Sequence, residues 1–120
     1  MHELSVTESL LNIVLKEARH NRCEKVIEVG ITIGRLSSFI PDCIEYYFSF
    51  LSKGTITEGA KLKFRIISPV IVCNNCDQEV KISDPFMRCP ICGSSNIRLV
   101  SGRECYVEYI EVEDEKNKDQ

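Results

Sequence analysis

The chain has 120 residues, 43% of them hydrophobic, and a formal net charge of −3. That length suits one ordinary domain, or a modest domain carrying a small insert, and the apolar content excludes wholesale disorder. A weakly acidic chain offers no global basic field to attract nucleic acid or an anionic membrane. The apolar runs are too short to span a bilayer, and Met1-His2-Glu3-Leu4-Ser5 lacks the basic start and apolar core of a signal peptide. A cytoplasmic protein is expected. Seven cysteines in a reducing compartment read as metal ligands, and the odd count argues against a disulfide framework.

The first element in chain order is an amphipathic helix over residues 5–21. Ser5 and Glu8 have the spacing of a capping box, so helical bonding is expected to start near Val6, with Met1 to Leu4 at or before the helix start. Val6, Leu10, Val14 and Ala18 stack on one face, with Ile13 beside them. From Lys25 the period changes to two. Ile27, Val29, Ile31 and Ile33 alternate with Glu28, Gly30, Thr32 and Gly34 as a half-buried strand, which Gly34-Arg35-Leu36-Ser37 ends. Pro41 fits the first turn of a second helix, whose apolar face is Ile44, Tyr47, Phe48 and Leu51 and which Lys53-Gly54 closes. Leu62, Phe64 and Ile66 alternate with Lys61, Lys63 and Arg65 in a second strand. Glu104 to Val112 forms a third, with Val107 and Tyr109 on one face, and the polar residues from Glu113 onward read as a frayed tail.

Between the second and third strands lie two Cys-x-x-Cys pairs, Cys73/Cys76 and Cys89/Cys92, separated by 12 residues. Roughly 25–30 residues cannot build a core alone, and at that size a metal substitutes for one. Each pair forms a knuckle whose backbone amides can hydrogen-bond to the sulfurs, and together they place four thiolates around a tetrahedral ion. In Cys89-Pro90-Ile91-Cys92-Gly93, Pro90 stiffens the turn and Gly93 permits a positive φ. Zinc is the expected ion, although a soft four-sulfur site also admits iron. Two disulfides would require an oxidising compartment, and no helix pattern follows Cys92 as a thioredoxin-like site requires. Four thiolates saturate zinc, so the site reads as structural, not hydrolytic.

Nucleic-acid binding by this module is not expected. Its bases Lys81, Arg88 and Arg98 are balanced by Asp77, Glu79 and Asp84, and Phe86 is a lone aromatic. Cys23, Cys43 and Cys105 read as small apolar residues near the core. No catalytic constellation stands out, so no enzyme is expected.

His2 has a particular chemistry available to it. With Met1 retained, as the bulk of His2 favours, the α-amine, the His2 backbone nitrogen and the His2 Nδ1 can close two adjacent chelate rings on one ion. The Glu3 backbone nitrogen is a candidate fourth donor. Such a planar, nitrogen-rich set favours Ni(II) or Cu(II). His20, the other histidine, lies near the far end of the first helix and reads as a helix-end cation or surface residue.

Met1-His2-Glu3-Leu4-Ser5 followed by a helix, then Gly34-Arg35-Leu36-Ser37, then paired knuckles ending Cys-Pro-x-Cys-Gly-Ser, resembles the HypA/HybF family of hydrogenase maturation nickel metallochaperones. The resemblance runs in order through Glu104 to Val112. It implies a non-enzymatic carrier that binds Ni(II) at His2 and delivers it to [NiFe] hydrogenase, with urease a further client of some members. By the same resemblance, the partners are a nickel-handling maturation GTPase and the hydrogenase large-subunit precursor. Cys73, Cys76, Cys89 and Cys92 match the structural zinc ligands. The expected fold is α+β: a small mixed β-sheet with two helices as the nickel-binding base, plus an inserted four-cysteine zinc-ribbon module. The base takes residues 1–70 and 103–113, the module 71–102, and a flexible tail 114–120. The alternative is a zinc-ribbon protein-interaction adaptor with no nickel role.

Overall fold

A computed structural model of the chain describes residues 2–82 and 87–113, with His2 described by its backbone alone. Met1, the His2 imidazole, Asp84, Phe86 and the tail 114–120 therefore lie outside the described residues. The chain divides into two compact units. The first takes residues 1–32, 39–65 and 106–120, and the second takes 33–38 and 66–105.

In the first unit, helix α1 (His2–His20) starts earlier than the Ser5/Glu8 box predicts. Its buried stripe is Thr7, Leu10, Leu11, Val14 and Ala18, and half-buried Glu3 and Leu4 continue it toward the N-terminus. That stripe carries the helix one turn past the expected cap, because tertiary packing outweighs a local capping preference. Thr7 Oγ1 donates to the Glu3 carbonyl inside this turn, and Ser5 stays exposed. Ile13, expected beside the buried face, is 49% exposed, and Leu11 holds that place. At the other end Arg22 takes φ 55° and the Cys23 amide reaches the Ala18 carbonyl at 3.0 Å, a left-handed helix stop made without glycine.

Helix α2 (Pro41–Leu51) begins with proline in its first turn, as expected, and buries Ile44 and Phe48. The two helices pack on one another. Strands β1 (Lys25–Gly34), β2 (Lys61–Ile67) and β6 (Cys105–Glu113) form a sheet of order β2-β1-β6. As the central strand, β1 is buried on both faces from Val29 onward rather than on one; Val26 is buried and Ile27 is exposed, against the simple alternation. Ile66 of β2 is likewise exposed, and Glu113, expected in the tail, belongs to β6 and accepts the Glu24 amide. Across this sheet Tyr109 donates to Glu28 at 2.6 Å, while Glu108 accepts from Thr32 at 2.9 Å and pairs with Arg65.

In the second unit, β3 (Val70–Cys73) pairs antiparallel with both β4 (Glu79–Lys81) and β5 (Ile97–Ser101). Periodicity in the sequence does not separate β3 and β4, which have four and three residues. The turn after β1 belongs to this unit. Its Arg35 and Leu36 amides bond the carbonyls of Ile67 and Gly102, at 2.9 and 2.8 Å. Gly34 lies so close to the Gly102 carbonyl that a β-carbon would stand 2.2 Å from its oxygen.

Candidate metal centre

Cys73 closes β3, and the turn through Cys76 leads into β4; Cys89 and Cys92 take the same two positions in a second turn ahead of β5. The two turns share one hydrogen-bond frame. In the first, the Cys73 amide donates to Gln78 O at 2.9 Å and the Asp77 amide to Cys73 O at 2.8 Å. In the second, the Cys89 amide donates to Ser94 O at 2.9 Å and the Gly93 amide to Cys89 O at 2.8 Å. The residue after the second cysteine has positive φ in both, 58° at Asp77 and 76° at Gly93. Glycine adopts that region freely, and aspartate is among the few other residues that tolerate it. The first knuckle thus has the backbone of the second without its Cys-Pro-x-Cys-Gly sequence.

These frames bring all four predicted cysteines together. Cys73 Sγ lies 3.6 Å from Cys92 Sγ and Cys76 Sγ 3.8 Å from Cys89 Sγ, with the four atoms within 4.8 Å of one another. A tetrahedral ion with metal–sulfur bonds of about 2.3 Å requires sulfur separations of about 3.8 Å, so the donor set fits one ion. The buried core around it is small: Ile71, Cys73, Ile82 and Cys89, with Val80, Met87, Ile97 and Leu99 partly buried against them. Two of the four candidate ligands, Cys73 and Cys89, make up half of that buried set, so the ion would supply cohesion that side chains do not.

The thiols are electrostatically unequal. Burial first, then the neighbouring thiols, push Cys76 up to about 12. The Ser94 amide, then Cys73 and Asn75, bring Cys92 down to about 7. The backbone amides two residues on, Gln78 and Ser94, act to lower the second thiol of each knuckle. Asn75 Nδ2 reaches Cys92 Sγ at 3.8 Å from the opposite knuckle, and Asn74 Nδ2 reaches Asn96 Oδ1 at 3.2 Å. Reading the sequence missed these asparagines. Their only signal is their place between two cysteines, where a short amide side chain can reach either way.

Among the described residues this is the metal-ligand cluster the geometry supports, and no disulfide forms. Cys23, Cys43 and Cys105 are half-buried thiols. His20 ends α1, is exposed, and lies about 27 Å along the helix axis from the His2 backbone at the usual rise. No described helix is long and apolar enough to cross a membrane.

The family described as "Hydrogenase/urease nickel incorporation, metallochaperone" matches residues 1–112. The chain belongs to the HypA family. A hydrogenase maturation factor HypA from Geobacter sp. is 39% identical over 113 residues, spanning 94% of this chain and all of that protein. One from Caldanaerobacter subterraneus subsp. tengcongensis is 36% identical over 114 residues, with 94% and 100% covered. The solution structure of the Ni metallochaperone HypA from Helicobacter pylori shares the fold, with a TM-score of 0.69 at 22% identity over 94% of this chain and 98% of that one. A second solution structure, of a HypA protein, gives 0.71 at 24% identity over 93% and 96%. HypA proteins are nickel metallochaperones of hydrogenase maturation, not enzymes. The α+β class with two helices and a four-cysteine metal-binding cluster agrees with the sequence reading.

Proposed function

We propose that this chain binds Ni(II) at its N-terminus and hands it on for maturation of [NiFe] hydrogenase. The observation that carries this reading is the family match, which begins at residue 1 and so takes in Met1, His2 and Glu3. The His2 Nδ1 and the backbone nitrogens of Met1, His2 and Glu3 are the proposed donors. The first amides of a helix have no intrahelical carbonyl partner, so a helix starting at His2 can lose the His2 amide proton to a metal without breaking a helical bond. The anionic nitrogen that results is also favoured at a helix N-terminus. A terminal chelate suits cargo, since a recipient's ligands can replace its donors one at a time.

The ion at Cys73, Cys76, Cys89 and Cys92 is proposed to be zinc, held for structure. Its support is the soft four-sulfur donor set at tetrahedral spacing, which leaves no open position for water. The proposed partners are the nickel-handling maturation GTPase and the hydrogenase large-subunit precursor, in the cytoplasm, with urease as a second candidate client. Family membership favours this reading over the zinc-ribbon adaptor.

The test is metal content of the untagged protein after equilibration with Ni(II), wild type beside His2→Ala. One zinc in both, with one nickel in wild type and none in the variant, is expected. Equal nickel in both would put the nickel ligands elsewhere. No nickel in either would leave only the zinc-stabilised adaptor.

A further inference from the structure

The four sulfurs are held unequally. Cys73 and Cys89 are 0% and 1% exposed and Cys76 is half-buried, whereas Cys92 is exposed. Cys92 is thus the most exposed of the four ligand residues and lies outside the small buried core. Among the described residues, Cys92 is also the sulfur that a side chain other than a cysteine reaches from the opposite knuckle, through Asn75 Nδ2 at 3.8 Å. The neighbouring Asn74 makes a different bridge. Its backbone amide donates to Asn96 O at 3.0 Å and its Nδ2 to Asn96 Oδ1 at 3.2 Å, tying chain to chain without touching a ligand.

We infer that the metal centre opens to ligand exchange at Cys92, and that Asn75 is a positioning residue that keeps this thiolate in place. The inference rests on the zinc reading above. In the exchange step an incoming nitrogen or thiolate donor forms a bond to the ion as the Cys92–metal bond breaks. Cys92 leaves with its electron pair and takes a proton from water. The Asn75 amide draws charge from the sulfur and fixes its direction, so Cys92 is slower to leave and less nucleophilic while the contact is made. Outer-shell hydrogen bonds of this kind commonly change metal affinity by about 10–100-fold.

The test uses the full chain, loaded with zinc and confirmed at one equivalent. Zinc transfer to an excess of a chromogenic chelator is timed, and the order of cysteine modification by iodoacetamide is mapped by mass spectrometry. Cys92 should react first in wild type. Asn75→Ala, and Asn75→Asp, whose carboxylate cannot donate, should speed zinc loss and Cys92 alkylation together, several-fold to tenfold. Asn74→Ala should loosen the module without raising Cys92 above its wild-type share of the early modification. Unchanged rates in both Asn75 variants would overturn the inference, as would a rise spread evenly over all four cysteines or a different first site in wild type. Wild type holding no metal at these sulfurs would overturn the zinc reading itself, and this inference with it.

Discussion

The ring of Tyr109 lies against Gly30 of the neighbouring strand, where a β-carbon would stand 2.0 Å from Tyr109 Cε2. A strand glycine has no side chain to pack, and an aromatic ring laid across it restores that contact. Gly30→Ala should force the ring away and cost about 1–3 kcal/mol, as overpacking generally does. A lower urea midpoint by circular dichroism would show it. Tyr109→Phe keeps the ring and should shift the midpoint less.

The same tyrosine makes a prediction at alkaline pH. Its hydroxyl donates to Glu28, and that bond, then burial and the charges of Glu28, Glu111 and Glu108, push the phenol up to about 12. An unfolded tyrosine titrates near 10. The stabilisation is therefore complete below about pH 10 and lost as pH rises from 10 toward 12. A spectrophotometric titration should lose its highest-pH phenolate step in Tyr109→Phe.

Acid should act through Glu108. The Thr32 hydroxyl and then Arg65 hold its carboxyl below the ordinary range. With the folded value depressed, the stabilisation is present above the unfolded value, near pH 4.3, and is lost as pH falls through the folded one. Glu108→Gln should flatten the acid limb of the stability profile below about pH 4.5. An unchanged limb would assign that slope to other carboxylates.

Chelation should act on the second unit. Its buried core contains two of the sulfurs themselves, while α1 and α2 bury their own apolar face. Cys73→Ser or removal of metal should collapse amide signals from Val70 to Ser101 and leave those of α1 and α2 dispersed. Because the thiols must shed protons to bind, zinc affinity should fall as the medium is acidified. Competition with a chelator across pH checks this.

Knuckle geometry gives a paired test. Gly93→Ala places a β-carbon at φ 76°, where an L-residue costs about 1–2 kcal/mol, and should lower the melting temperature of the zinc form. Asp77→Gly, at φ 58° in the equivalent place, should leave it equal or slightly higher.

The proposed nickel chelate must also lose protons. Calorimetry should find nickel affinity falling as pH drops through about 8 to 6, the range of the α-amine and imidazole. A flat profile would remove the N-terminal donors.

The sequence made the larger elements legible because each carries a repeated physical signal. The 3.6-residue stripe of α1, the proline at the start of α2 and the cysteine spacing all survive into the structure. What escaped was set by partners distant in the chain. The start of α1 follows a packing stripe, not the Ser5/Glu8 box, and on the second face of β1 the small residues Gly30 and Thr32 are met by the Tyr109 and Glu108 side chains of β6. Strands β3 and β4 are four and three residues long, too short for a period to register. Ile97 and Leu99 of β5 do alternate inward with exposed Arg98 and Val100, a signal present but overlooked. Gly30 shows no purpose until Tyr109 is seen across from it.

The Gly34–Ser37 turn has a consequence in polymer terms. Its amides bond Ile67 on the way into the cysteine-bearing segment and Gly102 and Glu104 on the way out. The stems of a loop of about 35 residues are thereby pinned at a neck that uses no metal. Once a neck is fixed, each doubling of the enclosed chain adds only about 0.6 kcal/mol of closure entropy. The segment beyond it is therefore free to lengthen, shorten or be exchanged for another ribbon, so long as the contact of Gly34 with Gly102 is kept.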